Sequence, residues 1–418
     1  MEQKLLCIDL KKFISSISLG LDLAEACTFR DRNRVYDFEV SIPGFSVYSH
    51  NFASHSKKTA LISMFIAKKL DYNDEKLDNI YISSFLHDIG AVDAFSSCHA
   101  DKGFIYEHCS FGSDILKKLP VDDKIPVYVK YHHEHYDGSG PYGLAGNEIP
   151  MESSIIHIAD LFELMYRDDI PNIVQRKKIA GWFKEKSGRL FSPDVVDALL
   201  SAAESERFWL DIENINSDQD ILDRIHPTIY APVTVEKLMD IALVFAVIID
   251  KKSTFTHQHS VGLTNHLSNF CSYLNYDEDK TAKMKIAGLL HDLGKLSVPE
   301  KILDKPGKLT VDEYTIIRSH TYYTKLILDK INGMELISKW ASNHHETLRG
   351  TGYPEKLSSD ELCTESRILA VCDIYQALTE NRPYRPGMSK KDALTIIDNL
   401  VYQGDIDKYI AGILKEII

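Results

Sequence analysis

Apolar residues recur at the three- and four-residue spacing of amphipathic α-helices along most of the chain. This pattern predicts helices over 59–70, 77–87, 234–250, 261–274 and 280–291. The period-two alternation that is typical of strands is nearly absent. The exception is 35–48, where aromatic and β-branched residues surround Pro43-Gly44 and predict a hairpin-like insertion or an irregular loop. The pattern therefore predicts an all-α fold.

The length of 418 residues exceeds one typical hydrophobic core, so two domains of about 200 residues each are expected. We predict a first domain over 1–210 and a second over 233–418. The intervening segment, 211–232, is rich in Asp and Asn and ends near His226-Pro227, which is typical of a linker.

Composition narrows the classes of partner. A net charge of −13 argues against a nucleic-acid polymer, because binding of the phosphate backbone favours a basic surface. Seven cysteines without a CxxC pair fit a reducing compartment. The longest apolar run, 241–249, is far shorter than the roughly 20 residues of a membrane helix, and no signal-peptide core precedes it. We therefore expect a cytoplasmic protein without a membrane partner; its oligomeric state stays open.

An ordered set of histidines and acids occurs twice, and this is the strongest signal in the chain. The first copy is His55, His87, Asp88, His108, His132, His133 and Asp160. The second copy is His259, His291, Asp292, His320, His344, His345 and Asp373. The separation is 204 residues at the first histidine (259 − 55) and 213 at the last acid (373 − 160). A repeat this long predicts a duplicated helical domain.

The residue types in each copy suit a site for two metal ions. In an adjacent His-Asp pair the imidazole can bind one ion while the small carboxylate bridges both. Mixed imidazole and carboxylate ligation suits Fe, Mn, Co, Ni or Zn rather than Ca or Mg. Two such ions about 3.5–4 Å apart can acidify a water and clamp a phosphoryl oxygen during in-line attack. A single His-Asp or His-His pair is more often a surface or packing feature, but the ordered set, found twice, favours metal-assisted phosphoester hydrolysis.

The second copy resembles the HD-GYP branch of the HD superfamily. The match is carried by HS at 259–260, LLHDLGKLSVPEKILDKPGKLT at 289–310, SH at 319–320, HHETLRGTGYP at 344–354 and VCDIYQALTENRPYR at 371–385. The resemblance implies two tandem HD-type helical bundles and two or three transition metals, often iron or manganese. It also implies hydrolysis of bacterial cyclic dinucleotides, with cyclic di-GMP as the usual substrate and 3′,3′-cyclic GMP-AMP as the substrate of some members.

The resemblance implies a role for each matching residue. One metal would be held by His259, His291, Asp292 and Asp373. The other would be held by His320, His344 and His345, with Asp292 bridging.

The family also implies residues that contact the substrate. Lys295 would touch the scissile phosphate and balance its charge in the transition state. Arg382 and Arg385 would hold the phosphates of the ligand. The loop Gly352-Tyr353-Pro354 would lie beside the site, where the tyrosine could pack on the nucleotide or on a protein partner.

Two positions of the second copy depart from the family pattern. Arg349 replaces the usual Asp of the loop, which leaves the local contacts of the loop open. Phe255 stands where some members with three metals carry a Glu ligand, so we predict two metals.

The first copy keeps all its ligands but departs further. Ala91 stands at the position of Lys295, the loop reads Gly140-Pro141-Tyr142, and Asp169 stands opposite Arg382. With fewer cations to compensate charge in the transition state, we expect the first domain to bind metals and to be weakly active, inactive or regulatory. Full activity on a different substrate stays an alternative.

The leading functional hypothesis is a phosphodiesterase that cuts cyclic di-GMP to linear pGpG, and then to GMP, in its second domain. The alternatives are a 3′,3′-cyclic GMP-AMP phosphodiesterase, a sensor that binds a cyclic dinucleotide without turnover, and another HD phosphohydrolase acting on nucleoside mono- or triphosphates.

Overall fold

The computed structural model describes residues 5–32, 54–93, 102–218, 220–226, 232–252, 259–381 and 386–418. The segment 35–48 lies outside this described part, as do Phe255, Arg382 and Arg385. The chain divides into two compact units, Ile17–Tyr230 and Met1–Ser16 with Ala231–Ile418. They are called the first-repeat unit and the second-repeat unit below.

Helices build the first-repeat unit. They are α1 (Leu10–Arg32, which also crosses the unit boundary), α2 (His55–Lys69), α3 (Asp74–Phe85), α4 (Lys102–Leu116), α5 (Ile125–Lys130), α6 (Met151–Met165), α7 (Asn172–Lys186), α8 (Pro193–Ala203), α9 (Glu206–Asn214) and α10 (Ile221–Ile225). Two short 3₁₀ helices, Ile89–Asp93 and Gly146–Glu148, lie between them.

The second-repeat unit is also helical. Its helices are α11 (Val235–Lys252), α12 (His259–Tyr273), α13 (Glu278–Leu290), α14 (Glu300–Leu303), α15 (Val311–Leu328), α16 (Glu335–Ser342), α17 (Thr364–Thr379), α18 (Lys390–Gln403) and α19 (Lys408–Ile417). A 3₁₀ helix spans Leu293–Ser297. A two-stranded antiparallel ladder joins β1 (Leu5–Asp9) to β2 (Pro232–Thr234), with Leu6 opposite Val233.

The helix that leads to the His-Asp pair begins in the same way in both units. The side chain of Asn73 accepts a hydrogen bond from the Lys76 backbone N–H, and Asp277 does the same for Lys280. These caps satisfy backbone donors that the first turn leaves unpaired. Buried apolar residues then fix the orientation of each helix, so that its C-terminal end delivers the His-Asp pair to the interior.

A glycine after each His-Asp pair allows a close backbone approach. A Cβ atom built on Gly90 would lie 2.0 Å from the carbonyl oxygen of His108, and one on Gly294 would lie 1.9 Å from that of His320. No other residue type fits so near to backbone. The contact brings the 3₁₀ helix against α4 or α15, and with it the His-Asp pair against the histidine on that helix.

The all-α prediction is confirmed, and each of the five predicted helices overlaps an observed helix. The β1–β2 ladder is a difference, because it pairs segments more than 220 residues apart that carry no alternating pattern. The segment 211–232, which we expected to be a linker, holds the end of α9 and all of α10, and Ile212, Ile221 and Ile225 are buried. The division into 1–210 and 233–418 stays a prediction; in the structure Met1–Ser16 groups with the second-repeat unit.

Within the described ranges, no helix combines the length and the apolar character that crossing a membrane requires.

Candidate metal centres

The second-repeat unit brings its seven predicted ligands together at the ends and inner faces of five helices. His259 is the first residue of α12, His291 caps the end of α13, His320 lies within α15, and Asp373 lies within α17. Asp292 follows His291, and the pair His344-His345 follows α16. Three sets of donor atoms lie within 4.8 Å of one another: His259, His291 and Asp373; His291, Asp292 and His344; and His320, His344 and His345.

The carboxylate of Asp292 faces both halves of this cluster. Its Oδ2 atom lies 3.1 Å from Nε2 of His291, whereas its Oδ1 atom lies 3.4 Å from Nε2 of His320 and 3.9 Å from Nε2 of His344. On the other side, Oδ1 of Asp373 lies 3.0 Å from Nε2 of His259 and 3.7 Å from Nε2 of His291. Asp292 could therefore bridge two ions.

The backbone orients several of the histidines. Nδ1 of His291 lies 2.7 Å from the carbonyl oxygen of Gly288, and His320 and His344 make the same contact to the carbonyl three residues earlier. In the first-repeat unit, His87 and His132 do so as well. A carbonyl only accepts, so Nδ1 carries the hydrogen and Nε2 is left to bind an ion.

His259 is oriented by a side chain instead. Its Nδ1 atom lies 3.0 Å from Oε2 of Glu380, while its Nε2 atom faces Asp373. Burial alone would lower the pKa of His259, but hydrogen bonds to these two carboxylates raise it to about 10. Burial would raise the pKa of Asp292, yet His291 and Lys295 hold it well below its usual range. These pKa shifts favour the ionised form of Asp292 and the protonated form of His259 at neutral pH.

Three further side chains stand beside the second centre. Nζ of Lys295 lies 2.5 Å from Oδ2 of Asp292, and the Lys295 side chain is 23% exposed. Although burial opposes it, the Asp292 carboxylate raises the pKa of Lys295, so the ammonium stays charged. The ring of Tyr353 lies 4.8 Å from that of His345, and the guanidinium of Arg318 lies 4.6 Å over the Tyr353 ring. Sequence reasoning missed Arg318, which lies outside the repeated set.

The first-repeat unit assembles its own seven predicted ligands in the same way. Oδ2 of Asp88 lies 3.5 Å from Nε2 of His55 and 3.1 Å from Nε2 of His87. Oδ1 of Asp88 lies 3.6 Å from Nε2 of His108 and 4.0 Å from Nε2 of His132. His55, His87 and Asp160 form one donor set, and His108, His132 and His133 form another that also includes Cys109.

The first histidine of this unit is held by a carboxylate at a different sequence position. Nδ1 of His55 lies 2.7 Å from Oε2 of Glu163, which is one turn after Asp160 on α6. By the repeat offset, Glu380 stands opposite Arg167 and not opposite Glu163. The ammonium of Lys58 lies 2.6 Å from Asp168 and 3.7 Å from Glu163. Glu163 and Glu380 thus orient the first histidine of each unit from positions that do not align between the repeats, so an alignment of the repeats cannot detect their equivalence.

A buried glutamate after each His-His pair holds the neighbouring loop, and sequence reasoning missed it. Glu346 accepts hydrogen bonds from the backbone N–H groups of Glu355, Lys356 and Leu357 at 2.7, 3.1 and 3.0 Å. Glu134 accepts from Tyr142 and Leu144, both at 2.6 Å. The signal was present, since both copies read His-His-Glu.

The loop of the second unit closes in spite of Arg349. This residue makes an isolated bridge with Ser358, as Asp137 does with Ala145 in the first unit. The Arg349 side chain is turned to Asp405, at 2.7 Å. Replacement of the usual aspartate therefore leaves the loop folded.

The two units differ at the residues that would meet a substrate. Ala91 is buried where the second unit has Lys295. The Tyr142 ring packs on Tyr106, at 4.6 Å between centroids, whereas Tyr353 packs on a predicted metal ligand. Asp169 is ion-paired with Arg167.

The donor atoms of both clusters fit transition-metal ions. Nε2 of His132 and Oδ1 of Asp292 are buried and make no hydrogen bond within the described ranges. Buried polar atoms of this kind are costly unless something binds them. Imidazole nitrogens mixed with carboxylate oxygens are the ligands of Fe, Mn, Co, Ni and Zn. The assignment of all fourteen residues as ligands stays a prediction, which this geometry supports.

Comparison with known proteins gives consistent matches. A family model described as an HD domain matches residues 45–176 and again 243–410. The chain is 28% identical over 375 residues to 3'3'-cGAMP-specific phosphodiesterase 1 of Vibrio cholerae, covering 86% of each chain. It is 30% identical over 295 residues to 3'3'-cGAMP-specific phosphodiesterase 3 of the same organism, covering 70% of this chain and 63% of the relative.

A cyclic di-GMP phosphodiesterase of Thermotoga maritima is 28% identical over 185 residues, which is 43% of this chain and 50% of that one. Among solved structures, a cyclic GMP-AMP specific phosphodiesterase of V. cholerae superposes with a TM-score of 0.65 and 21% identity, covering 98% of this chain and 97% of that one. At this identity the structural likeness establishes the fold alone.

Proposed function

The chain belongs to the HD domain family, and from this membership we propose that it is a metal-dependent phosphodiesterase of cyclic dinucleotides. In this proposal the second-repeat unit carries out hydrolysis, and the first-repeat unit is regulatory or weakly active. The observation that carries the proposal is the ammonium of Lys295 beside Asp292, at a position where the first unit has Ala91.

The residues of the second unit divide the work. Two transition-metal ions, iron or manganese in our proposal, would be held by the seven clustered ligands and would supply an acidified water and a clamp on a phosphoryl oxygen. The charged Lys295, partly exposed at the edge of the cluster, offsets negative charge as it develops on the phosphate. The guanidinium of Arg318, 4.6 Å over the Tyr353 ring, offers a cation for a phosphate, and the exposed part of Tyr353 offers an apolar contact for a nucleotide base.

We favour 3′,3′-cyclic GMP-AMP over cyclic di-GMP as substrate, which reverses the order expected from the sequence. The two relatives that match 86% and 70% of this chain are named as specific for cGAMP. The Thermotoga relative named for cyclic di-GMP matches 43%. Hydrolysis of one phosphodiester would give a linear dinucleotide, and a second cut would give mononucleotides.

The test is turnover of each substrate by the full chain loaded with manganese or iron, with the linear product measured by chromatography. Asp292→Ala is expected to abolish product formation, and Asp88→Ala to leave most of it. Hydrolysis that survives Asp292→Ala but not Asp88→Ala would assign catalysis to the first-repeat unit and contradict the proposal.

A sensor is the second candidate, and the complete ligand set beside Ala91 in the first unit favours it for that unit. Cyclic dinucleotide bound by the metal-loaded chain without any linear product would establish the sensor and overturn the enzyme. A protein partner at the Gly352-Tyr353-Pro354 loop stays a prediction.

A further inference from the structure

Cys109 lies inside the metal-ligand cluster of the first-repeat unit. It follows His108 on α4 and is fully buried. Its Sγ atom lies 3.7 Å from Nε2 of His108, the nitrogen free to bind an ion, and 3.7 Å from Nδ1 of His132. Because Nδ1 of His132 faces the Val129 carbonyl, His132 would bind an ion through its other ring nitrogen, Nε2. Together with His133, these residues form a set whose donor atoms all lie within 4.8 Å of one another. By the repeat offset, the second unit has Thr321 at this position, so the thiol belongs to the first unit alone.

The spacing of these donors suits one tetrahedral ion. With zinc–sulfur and zinc–nitrogen bonds of about 2.3 and 2.0 Å, tetrahedral angles place sulfur and nitrogen about 3.5 Å apart. The separation between Cys109 and His108 is close to this value. Nε2 of His132 is an independent sign of an absent partner, because it is buried and makes no hydrogen bond with any residue that the structure describes.

We propose that Cys109, His108, His132 and His133 form a four-coordinate zinc site that is specific to the first-repeat unit. A thiolate ligand selects zinc over iron or manganese among the divalent ions. On binding, the Cys109 S–H bond breaks, a sulfur–zinc bond forms, and the proton passes to solvent. The inference rests on the proposed function only in that both units bind metal; it requires no hydrolysis.

The thiolate changes what the first centre can do. Four protein ligands fill a tetrahedral sphere, and filled spheres are typical of structural zinc, whereas catalytic zinc keeps an open position. The thiolate would take the position that Oδ1 of Asp88, 3.6 Å from Nε2 of His108, could otherwise fill, and Asp88 is then left to the other donor set. In the second unit, His320, His344 and His345 provide three nitrogens and no thiolate, so the bridging Asp292 and a water or substrate can take the remaining positions. A filled coordination sphere and the replacement of the lysine by Ala91 would both lower the catalytic activity of the first-repeat unit.

Cobalt(II) is the probe, because a cobalt–thiolate bond gives a charge-transfer absorption in the near ultraviolet. The full chain is stripped with a chelator and titrated with cobalt, and the absorption is followed together with the bound metal content. We expect the band in the wild type and its loss in Cys109→Thr, which installs the residue of the second unit. Competition with a zinc chelator should show that Cys109→Thr binds zinc at least about tenfold more weakly than the wild type. Even the loss of a residue that only hydrogen-bonds to a metal ligand typically costs that much affinity.

Cys372→Thr is the matched control. Cys372 is also buried and also adjoins a predicted ligand, Asp373, but it belongs to none of the clustered donor sets. This variant should keep the band. Cys109→Ala serves as a second variant, with circular dichroism of the metal-free proteins reporting folding.

A band that survives in both Cys109 variants, or cobalt bound at the first unit without a band, would overturn the inference while leaving the proposed function intact. Equal cobalt content in the wild type and His132→Ala would show that the first unit binds no ion at this set. That result would overturn the inference together with metal binding there, and the Asp292 turnover test would stand independently.

Discussion

Replacing Glu346 with glutamine is expected to loosen the loop at 352–357 while the predicted metal ligands stay in place. Oε1 of Glu346 accepts from two backbone N–H groups, those of Glu355 and Lys356, and Oε2 accepts from that of Leu357. Glutamine keeps one oxygen, and therefore at most two of these bonds. Its NH₂ group then faces the third N–H, which loses its acceptor.

The expected cost follows from that single orphaned donor. Leaving one buried donor unpaired costs about 1–3 kcal/mol, and a value of about 2 kcal/mol corresponds to about a 30-fold change in an equilibrium. Amide protons of Glu355, Lys356 and Leu357 should therefore exchange with solvent about 30-fold faster. Because Tyr353 lies in the same loop, kcat/KM should fall by up to the same factor.

Hydrogen exchange resolved to these amides, metal content and steady-state turnover are the three measurements. Glu134→Gln is the matched control, since Glu134 holds the corresponding loop of the first unit through two N–H groups. It should speed exchange at Tyr142 and Leu144 without slowing turnover. Unchanged protection at 355–357 in Glu346→Gln would refute the reasoning, and an equal loss of turnover in Glu134→Gln would refute the division of labour between units.

Three further predictions concern the second unit. Lys295→Met should lower kcat by about 10²–10³-fold, the usual cost of removing a charge-stabilising group, with bound metal unchanged; a wild-type kcat would contradict its role. Metal affinity of this centre should rise at least about tenfold per pH unit below pH 10, because binding must displace a proton from His259, whose pKa Asp373 and Glu380 raise to about 10, and at lower pH also from His291, whose pKa Asp292 raises against burial; a pH-independent affinity would exclude these protons. Gly294→Ala should cost about 1–3 kcal/mol of folding free energy by overpacking against the His320 carbonyl, measured by thermal unfolding. Its control is Gly412→Ala, where an added Cβ meets nothing within 4 Å, and an equal effect of both would dismiss the close approach.

The helices, and the grouping of the predicted ligands, could be predicted from the sequence. Long amphipathic runs such as α11 and α12 carry a periodicity that tertiary contacts only reinforce. The duplicated order of histidines and acids predicted which residues converge, because two copies of one pattern leave little room for accident. His259 and Asp373, 3.0 Å apart in space, are separated by 114 positions.

What the sequence could not predict depends on pairing in space. Glu163 and Glu380 do the same job from positions that the repeat offset does not relate, so only coordinates reveal their equivalence. The strands β1 and β2 are too short for an alternating pattern. The polar helices α9 and α10 bury a few isoleucines in a stretch whose composition is typical of a linker. Arg318 acts through a cation–aromatic contact that leaves no motif.

The carbonyl groups three residues before His87, His132, His291, His320 and His344 give these centres an unusual independence from their surroundings. An imidazole that is aimed by the main chain just before it needs no conserved neighbour to keep its direction. Substitutions nearby can then abolish bond cleavage without abolishing metal binding. A duplicated copy can therefore lose catalytic activity and still bind its metal. In this way an enzyme can acquire a metal-dependent accessory domain by duplication within its own gene.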